Sequence, residues 1–382
     1  MENNTAQFDV LVVYTDGVAT SASSKKISSQ LPFSIASKRA HYNIAYAYFL
    51  DVCRKKKIKA AFTTSKDLIS NGCFRSYWIY KNNNWKKVEK NCTAPLIFDR
   101  FSPINKKQKN RRLSLFESNL IKPFNHPEIF SLFFDKQKTF DTLFEYAIPT
   151  VTVKNRSYKS INYAFGKLKK LVEMHPNKQD FSSDVVVKDR FGTGGNSIYK
   201  VSQNSRISKT SKVMSIDKTL SFIIQPFANF DKGYKFAGVA SYADIRIIYI
   251  GAEIIQAYVR TSKENDFRCN EHQGGSLEYI SIKQIPAKVR RLSDKISNLV
   301  SKHASCYALD FVISNNGNVY LMEGNSGPGI YWNPLIKGDE IYSKKLIREI
   351  VNALSDRVYI LNPQYIPFKK SKVPPAIPLL VV

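Results

Sequence analysis

Apolar positions along the first third of the chain fall in short unbroken runs separated by helical stripes. Phe8–Thr15 (FDVLVVYT) runs into Asp16-Gly17 and predicts a buried strand. Ser23–Pro32 is polar and predicts a loop. Lys38–Lys57 carries Ile44, Ala45, Tyr48, Phe49 and Val52 at helical spacing. Ala60–Thr64 predicts a short strand, Tyr77–Tyr80 and Trp85–Val88 a hairpin around Lys81–Asn84, and Pro95–Phe101 (PLIFDRF) another buried strand. This β-α-β opening predicts an open α/β domain.

After Asn125-His126-Pro127 the pattern shifts. Helices are expected over Phe140–Tyr146, Ser160–Glu173, Pro286–His303 and Lys344–Leu354. The third has Pro286 in its first turn and Val289, Leu292, Ile296, Leu299 and Val300 on one face. Strands are expected over Val151–Val153, Asp184–Lys188, Ile198–Val201 and Leu220–Phe227, with a hairpin of Asp244–Ile250 and Glu253–Arg260 around Gly251-Ala252. Val373–Val382 is a proline-broken apolar tail, a candidate for packing on the body or on a partner.

The stretch Tyr307–Tyr331 (YALDFVISNNGNVYLMEGNSGPGIY) organises the second half. Asn316-Gly317 between two apolar runs is a hairpin signal, because a two-residue turn needs positive φ at both central positions. Pairing from that turn sets Asp310 opposite Glu323, with Cβ atoms about 4.5–5.5 Å apart, and Asn325 on the same face as Glu323. Opposed carboxylates among Phe, Val, Leu and Met need compensation: a shared proton, a cation, or solvent at the sheet end. Two carboxylates and an amide oxygen suit Mg²⁺ completed by waters and phosphate oxygens. A solvated sheet end with unrelated acids is the other reading.

The chain has 382 residues, enough for two or three domains, and is 43% hydrophobic, which excludes a disordered chain. No apolar run approaches the roughly 20 residues of a membrane span, and MENNTAQFDV lacks the features of a signal peptide. Cys53, Cys73, Cys92, Cys269 and Cys306 are scattered, with no C-x-x-C pair, so a reducing, cytoplasmic setting without structural zinc is expected. The formal charge of +27 favours an anionic partner, or records a lysine-rich surface. Lys106–Arg112 (KKQKNRR) concentrates five positive charges, as an exposed loop or helix start or as a nucleic-acid contact.

Candidate chemistry lies in three further stretches. Lys188 ends a predicted strand before Gly192-Thr193-Gly194-Gly195, where bare backbone amides can approach phosphates, although neither a P-loop nor G-x-G-x-x-G is present. An ordinary hairpin turn is the plain alternative. Asp244, Arg246, Arg260, Arg268 and Asn270 gather beside Gly274-Gly275, and guanidinium forks suit phosphate and carboxylate. A salt-bridged sheet surface would look the same. His272 is the one histidine nearby, a candidate base or a structural residue; His41, His126, His175 and His303 form no metal-ligand pattern.

These pieces arrive in an order that resembles the ATP-grasp superfamily from about Asn125 to Leu354, most of all the branch of glutathione synthetase and the ribosomal-protein glutamate ligase RimK. The resemblance is carried by DIRIIYIGAEIIQAYVRTSKENDFRCNEHQGG at Asp244–Gly275 and ALDFVISNNGNVYLMEGNSGPG at Ala308–Gly329, with support from DKQKTFDTLFEYAIPTV at Asp135–Val151 and VVVKDRFGTGG at Val185–Gly195. PLIFDRF is similar to a spore-coat-associated branch.

The resemblance implies a mixed α/β (α+β) ATP-grasp fold. An open α/β domain over 1–125 would precede a small lobe (126–226) and a large lobe (227–356) that clamp ATP, with a tail over 357–382. Lys136, Lys188 and the Gly192, Gly194, Gly195 loop would hold ATP phosphates. Gln225, Pro226 and Phe227 would form the adenine hinge, and Asp244 would touch the ribose. Asp310, Glu323 and Asn325 would hold Mg²⁺, with Mn²⁺ as a substitute. Arg246, Arg260, Arg268 and Asn270 would surround the transferred phosphate and acyl group. The implied activity is an ADP-forming carboxylate–amine ligase acting through an acylphosphate on an amino acid, peptide or protein tail and an amine acceptor. A nucleic-acid-binding protein with a degenerate nucleotide site, and an ATP-grasp phosphotransferase, are the alternatives; neither a nucleic-acid partner nor a membrane span is expected. A homodimer or homotetramer is compatible with the sequence. Pro226 stands where an acidic residue is usual, Gln273 where a basic one is common, and Cys269 where a small hydroxyl is common. The last two put the choice of acceptor and carboxylate in question rather than the use of ATP.

Overall fold

The computed structural model describes residues 5–25, 30–70, 72–103, 105–118, 120–192, 194–236, 239–301 and 305–362. The chain divides into two compact units, residues 1–122 with 350–382 and residues 123–349. The second unit takes in residues 126–226 of the expected small lobe and 227–349 of the expected large lobe, while 350–356 fall in the first unit. The apolar tail Val373–Val382, Thr193 and His303 lie outside the described residues.

In the first unit Val10–Tyr14 pairs in parallel with Ala60–Thr64 on one side and Leu96–Arg100 on the other. All three are largely buried, Val10–Tyr14 at every position, because both faces of a parallel sheet are covered. The helix Tyr42–Lys55 makes the crossover. The Tyr77–Lys81 and Asn84–Val88 hairpin turns through Asn82 and Asn83, at φ 53° and 59°, the left-handed pair that a tight hairpin demands. The basic run forms the helix Lys106–Phe116, capped by the Asn105 side chain, which accepts from the Gln108 amide. Gln108 and Arg112 are buried in it, and the Arg112 guanidinium pairs with buried Asp99.

The second unit contains two large antiparallel sheets and a two-stranded ribbon of Lys235–Phe236 with Val239–Ala240. One runs Val151–Val153, Phe222–Ala228, Phe181–Asp189, Ile198–Val201. The helices Tyr158–Glu173 and Arg206–Ile216 cover it through Ile161, Phe165, Leu168 and Met214. The other runs Ser276–Ile280, Glu253–Thr261, Ala243–Ile250, Cys306–Ile313, Val319–Asn325. Alternation splits its side chains cleanly. Ile245, Ile247, Tyr249, Val259, Leu309 and Phe311 face a core shared with the helix Ala287–Val300, and Asp244, Arg246, Arg260 and Asp310 face the other way.

Several expectations need correction. The helix expected over Phe140–Tyr146 lies at Lys136–Thr142, because the Asp135 carboxylate accepts from the amides of Gln137 (3.0 Å) and Lys138 (3.4 Å) and starts it early. Leu299 is 55% exposed; the buried face of its helix runs through Val289, Ser293, Ile296, Ser297 and Val300. Arg206–Ile216 and Ser276–Ile280 had no apolar pattern strong enough to announce them.

The central hairpin turns differently from the expected two-residue turn. Ser314 receives Gly317 N–H at its carbonyl and donates its own N–H to the Asn318 carbonyl, both at 2.8 Å, and only Gly317 has positive φ. This three-residue loop pairs Ile313 with Val319 and Phe311 with Leu321. A bulge at Met322 then shifts the register, and Asp310 still faces Glu323.

Candidate active site

Register alone assembles a row across the five-stranded sheet. Glu323 faces Asp310, Asp310 faces Arg246, Arg246 faces Tyr258, and Tyr258 faces Tyr279. Directly opposed residues share a face, so the two acids and the arginine lie side by side. Arg260 faces Asp244 one step along.

Asp310 is the hub. It is 1% exposed. Its Oδ1 accepts from Arg246 Nε at 2.5 Å; its Oδ2 accepts from Arg246 Nη2, from Arg260 Nη2 at 2.9 Å and from Asn325 Nδ2 at 3.3 Å. Burial works to raise the pKa of this carboxyl, and the two guanidiniums overcome it, holding Asp310 below the usual carboxylate range. Asp244, expected at the ribose, is also 1% exposed, and both its oxygens are engaged by Arg260, at 2.7 and 3.0 Å. Burial pushes its pKa up, against the pull of Arg260. Asp244 therefore orients Arg260.

Glu323 is set apart from this knot. Its side chain keeps 20% exposure, and its nearest cation is Lys136 Nζ at 3.5 Å. The Lys136 ammonium also donates to the Gly192 carbonyl at 2.5 Å, which ties it to the glycine loop. Lys188, 5% exposed on the strand Phe181–Asp189, completes the cationic side. Desolvation drops its pKa to about 8, with Glu323 opposing the shift and Lys136 adding to it. Four cations (Lys136, Lys188, Arg246, Arg260) thus face three carboxylates (Asp244, Asp310, Glu323), an excess of positive charge that suits an anion.

Two residues that the sequence did not single out stitch this side together. Arg190 grips Asp135 through Nε and Nη2, both at 2.6 Å, and its carbonyl accepts from the Lys136 amide at 3.2 Å. This joins the DKQKT and VVVKDR stretches and places the two lysines together. The usable signal was the charge pair formed by Asp135, just before Lys136, and Arg190, two residues after Lys188.

Lys136, Thr150, Gln225, Leu321, Met322 and Glu323 line one cleft. Gln225 Nε2 donates to Thr150 Oγ1 at 2.7 Å. Pairing with Val151–Val153 stops at Ile224, and Pro226 faces Val185 before the register breaks at Phe227. The backbone of Gln225–Phe227 therefore lies along a strand edge, where proline is tolerated. Buried Phe227 packs on Phe230, Tyr242 and Phe267, with Lys200 Nζ 3.7 Å from its ring centre.

The glycine loop reaches the turn after Arg268. Gly195, at φ +74°, lies where a Cβ would stand 2.7 Å from Asn270 Oδ1, and Gln273 Nε2 donates to Asn196 at 3.4 Å. Arg268 is paired with Asp266 at 2.8 Å and does not join the Asp310 knot. The His272 side chain lies outside the described part of the structure.

Among the described residues no group of three or more His, Cys, Asp or Glu could hold a metal ion. The oxygens of Glu323, Asp310 and Asn325 are hard donors of the kind Mg²⁺ takes, but Asp310 already serves two arginines. The set fits Mg²⁺ as an ion that shares phosphate oxygens, not as a protein cage.

Residues 135–350 match the model of the RimK-like ATP-grasp domain, more than half of the chain. A probable alpha-L-glutamate ligase of Maridesulfovibrio salexigens is 35% identical over 115 residues, 29% of this chain and 36% of that protein. The ribosomal protein bS6–L-glutamate ligase of Escherichia coli is 31% identical over 103 residues, 27% of this chain and 32% of that protein. The matched segment thus spans about a third of these curated relatives. The crystal structure of D-alanyl-alanine synthetase A from Vibrio cholerae superposes with a TM-score of 0.57, covering 92% of this chain and 99% of that one at 13% identity. That likeness shows the fold, a mixed α/β architecture shared with ATP-grasp ligases. On the family model and this architecture together, the chain belongs to the RimK-like ATP-grasp family.

Proposed function

We propose that this chain is an ATP-dependent, ADP-forming carboxylate–amine ligase. The observation that carries the reading is the cleft lined by Lys136 and Glu323, with buried Lys188 feeling the charge of both, beside the Asp310, Arg246 and Arg260 knot. In this reading Lys136 and Lys188 hold ATP phosphates, the loop of Gly192, Gly194 and Gly195 covers them, and the strand edge of Gln225–Phe227 receives the adenine. Glu323 and Asn325, with Asp310 behind them, hold Mg²⁺, which supplies charge neutralisation on the phosphates when bound. A substrate carboxylate attacks the γ-phosphorus, ADP leaves, and an amine displaces phosphate from the acylphosphate. Arg246 and Arg260 lie where negative charge develops on the transferred group and on the tetrahedral oxyanion. Asp244 positions Arg260.

The relatives' names put glutamate first among amines to test, and a peptide or protein tail first among carboxylates. The nucleic-acid alternative is not favoured, since Arg112 and Gln108 of the basic run are buried in structural contacts. The test is Mg²⁺-ATP turnover with pooled amino acids and acidic peptides, following ADP and phosphate, with Glu323→Ala as control. Acceptor-dependent ADP release that the control loses, with a product heavier by one amide-linked residue, supports the ligase. A phosphorylated acceptor refutes ligation, and failure to bind ATP refutes the site.

A further inference from the structure

A second recess lies on the opposite face of the five-stranded sheet from the acidic row, between the helix Ala287–Val300 and the hairpin end at Gly317–Val319. It is a groove of about 320 Å³ lined by Lys288, Arg291, Leu292, Lys295, Gly317, Asn318 and Val319. Lys288 Nζ is steered across it by a hydrogen bond to the Gly317 carbonyl at 3.1 Å. Arg291 and Lys295 are exposed and form no ion pair among the described residues. The helix has one acid, Asp294, and Arg290 takes it at 3.8 Å. Leu292 and Val319, half-buried, make an apolar floor under the three cations.

We propose that this groove is a docking site for a short acidic peptide segment carrying an apolar side chain. Lys288, Arg291 and Lys295 stand three and four residues apart, hence on one stripe of the helix about 10 Å long. Three to four residues of extended chain, at about 3.3 Å each, span that stripe. Carboxylates then meet the cations, and the apolar side chain covers Leu292 and Val319. A nucleic acid fits less well, because the lining offers no aromatic ring on which a base could stack. The chain's own residues 363–382 do not match the charge: they carry Lys369, Lys370 and Lys372 and no acid.

The site is separate from the ATP cleft, so the inference does not depend on the ligase reading. The experiment is fluorescence anisotropy of fluorescein-labelled Glu-Glu-Leu-Glu-Glu with the full chain, without nucleotide. Arg291→Glu with Lys295→Glu should weaken binding about tenfold or more, since two exposed charge contacts become repulsions. Lys167→Glu with Lys170→Glu, the same charge change on the helix Tyr158–Glu173, should change it less than about twofold. Leu292→Gln, measured well below its melting temperature, should weaken binding. Equal loss in both charge variants, no loss in the groove variant, or full displacement by oligouridylate at equal charge would each overturn the proposal.

Discussion

Asp310 and Glu323 face each other yet are embedded differently, and paired amide substitutions should separate them. Asp310→Asn removes the charge that holds Arg246 twice and Arg260 once, while both guanidiniums stay in place. Breaking a buried ion pair costs about 3–5 kcal/mol because the remaining charge is left uncompensated. Here Arg260 keeps Asp244, and the Arg246 side chain has 14% exposure through which water can reach it, so the low end applies, about 3 kcal/mol. For a unit of this size that is a fall of about 6–12 °C in Tm. Glu323→Gln breaks only a 3.5 Å contact on a side chain that is 20% exposed, and should stay within about 1 kcal/mol of the parent. Turnover should show a different order: on the proposed function both variants lose about 10²-fold or more. Scanning fluorimetry and ADP release on the same preparations settle both points. An Asp310→Asn protein as stable as the parent refutes the hub. Near-normal turnover in Glu323→Gln refutes its place at the metal.

Lys188 titrates near 8 in the folded chain, down from 10.5 through burial. Without nucleotide the unfolded chain binds more protons between these values, so stability should rise as pH climbs from about 8 to 10.5, read by denaturant midpoints. ATP favours the charged form, so its affinity should fall between about pH 7 and 9, with proton uptake on binding in calorimetry across buffers; a flat profile would exclude Lys188 from the phosphates. Gly195→Ala sets a Cβ 2.7 Å from Asn270 Oδ1 at φ +74°, so about 1–2 kcal/mol of strain should appear as weaker ATP binding. Arg112→Met alone should cost about 3 kcal/mol, the low end for a broken buried pair, because Asp99 loses its ion-pair partner but keeps the Phe101 amide, and adding Asp99→Leu should recover most of it in urea unfolding; an unaffected single variant would return the basic run to the surface.

Much of this was legible because pattern and fold agree. Ala60–Thr64, Val151–Val153 and Ile198–Val201 appear at their expected bounds, since strands covered on both faces or ended by turn residues leave a sharp signal. A helix with few buried side chains left a faint one: Arg206–Ile216 buries only Thr210 and Met214, with Ile207 and Val213 partly buried against the same core. Partners far apart in sequence were equally hidden. The pairing of Arg190 with Asp135, and of Asp244 with Arg260, depends on sheet register and packing that composition does not carry.

The hairpin shows why a right pair can follow from a wrong turn. A two-residue turn at Asn316-Gly317 and a three-residue loop closed by Gly317 differ by one residue in register. A one-residue slip sends every side chain to the other face. Had the ladder stayed regular beyond the observed loop, Met322 would oppose Asp310, and Glu323 would point into the core with Leu309. The bulge cancels the slip by letting Met322 and Glu323 share one partner. The bulged strand is held on its far edge as well, where Leu321 donates to the Tyr146 carbonyl at 2.7 Å and its own carbonyl accepts from Ile148. Met322 then lines the cleft beside Gln225, and Glu323 stands opposite Asp310 with Lys136 in reach. The irregularity of the strand therefore sets two parts of the proposed site at once, the wall beside the strand edge of Gln225–Phe227 and the facing pair of acids.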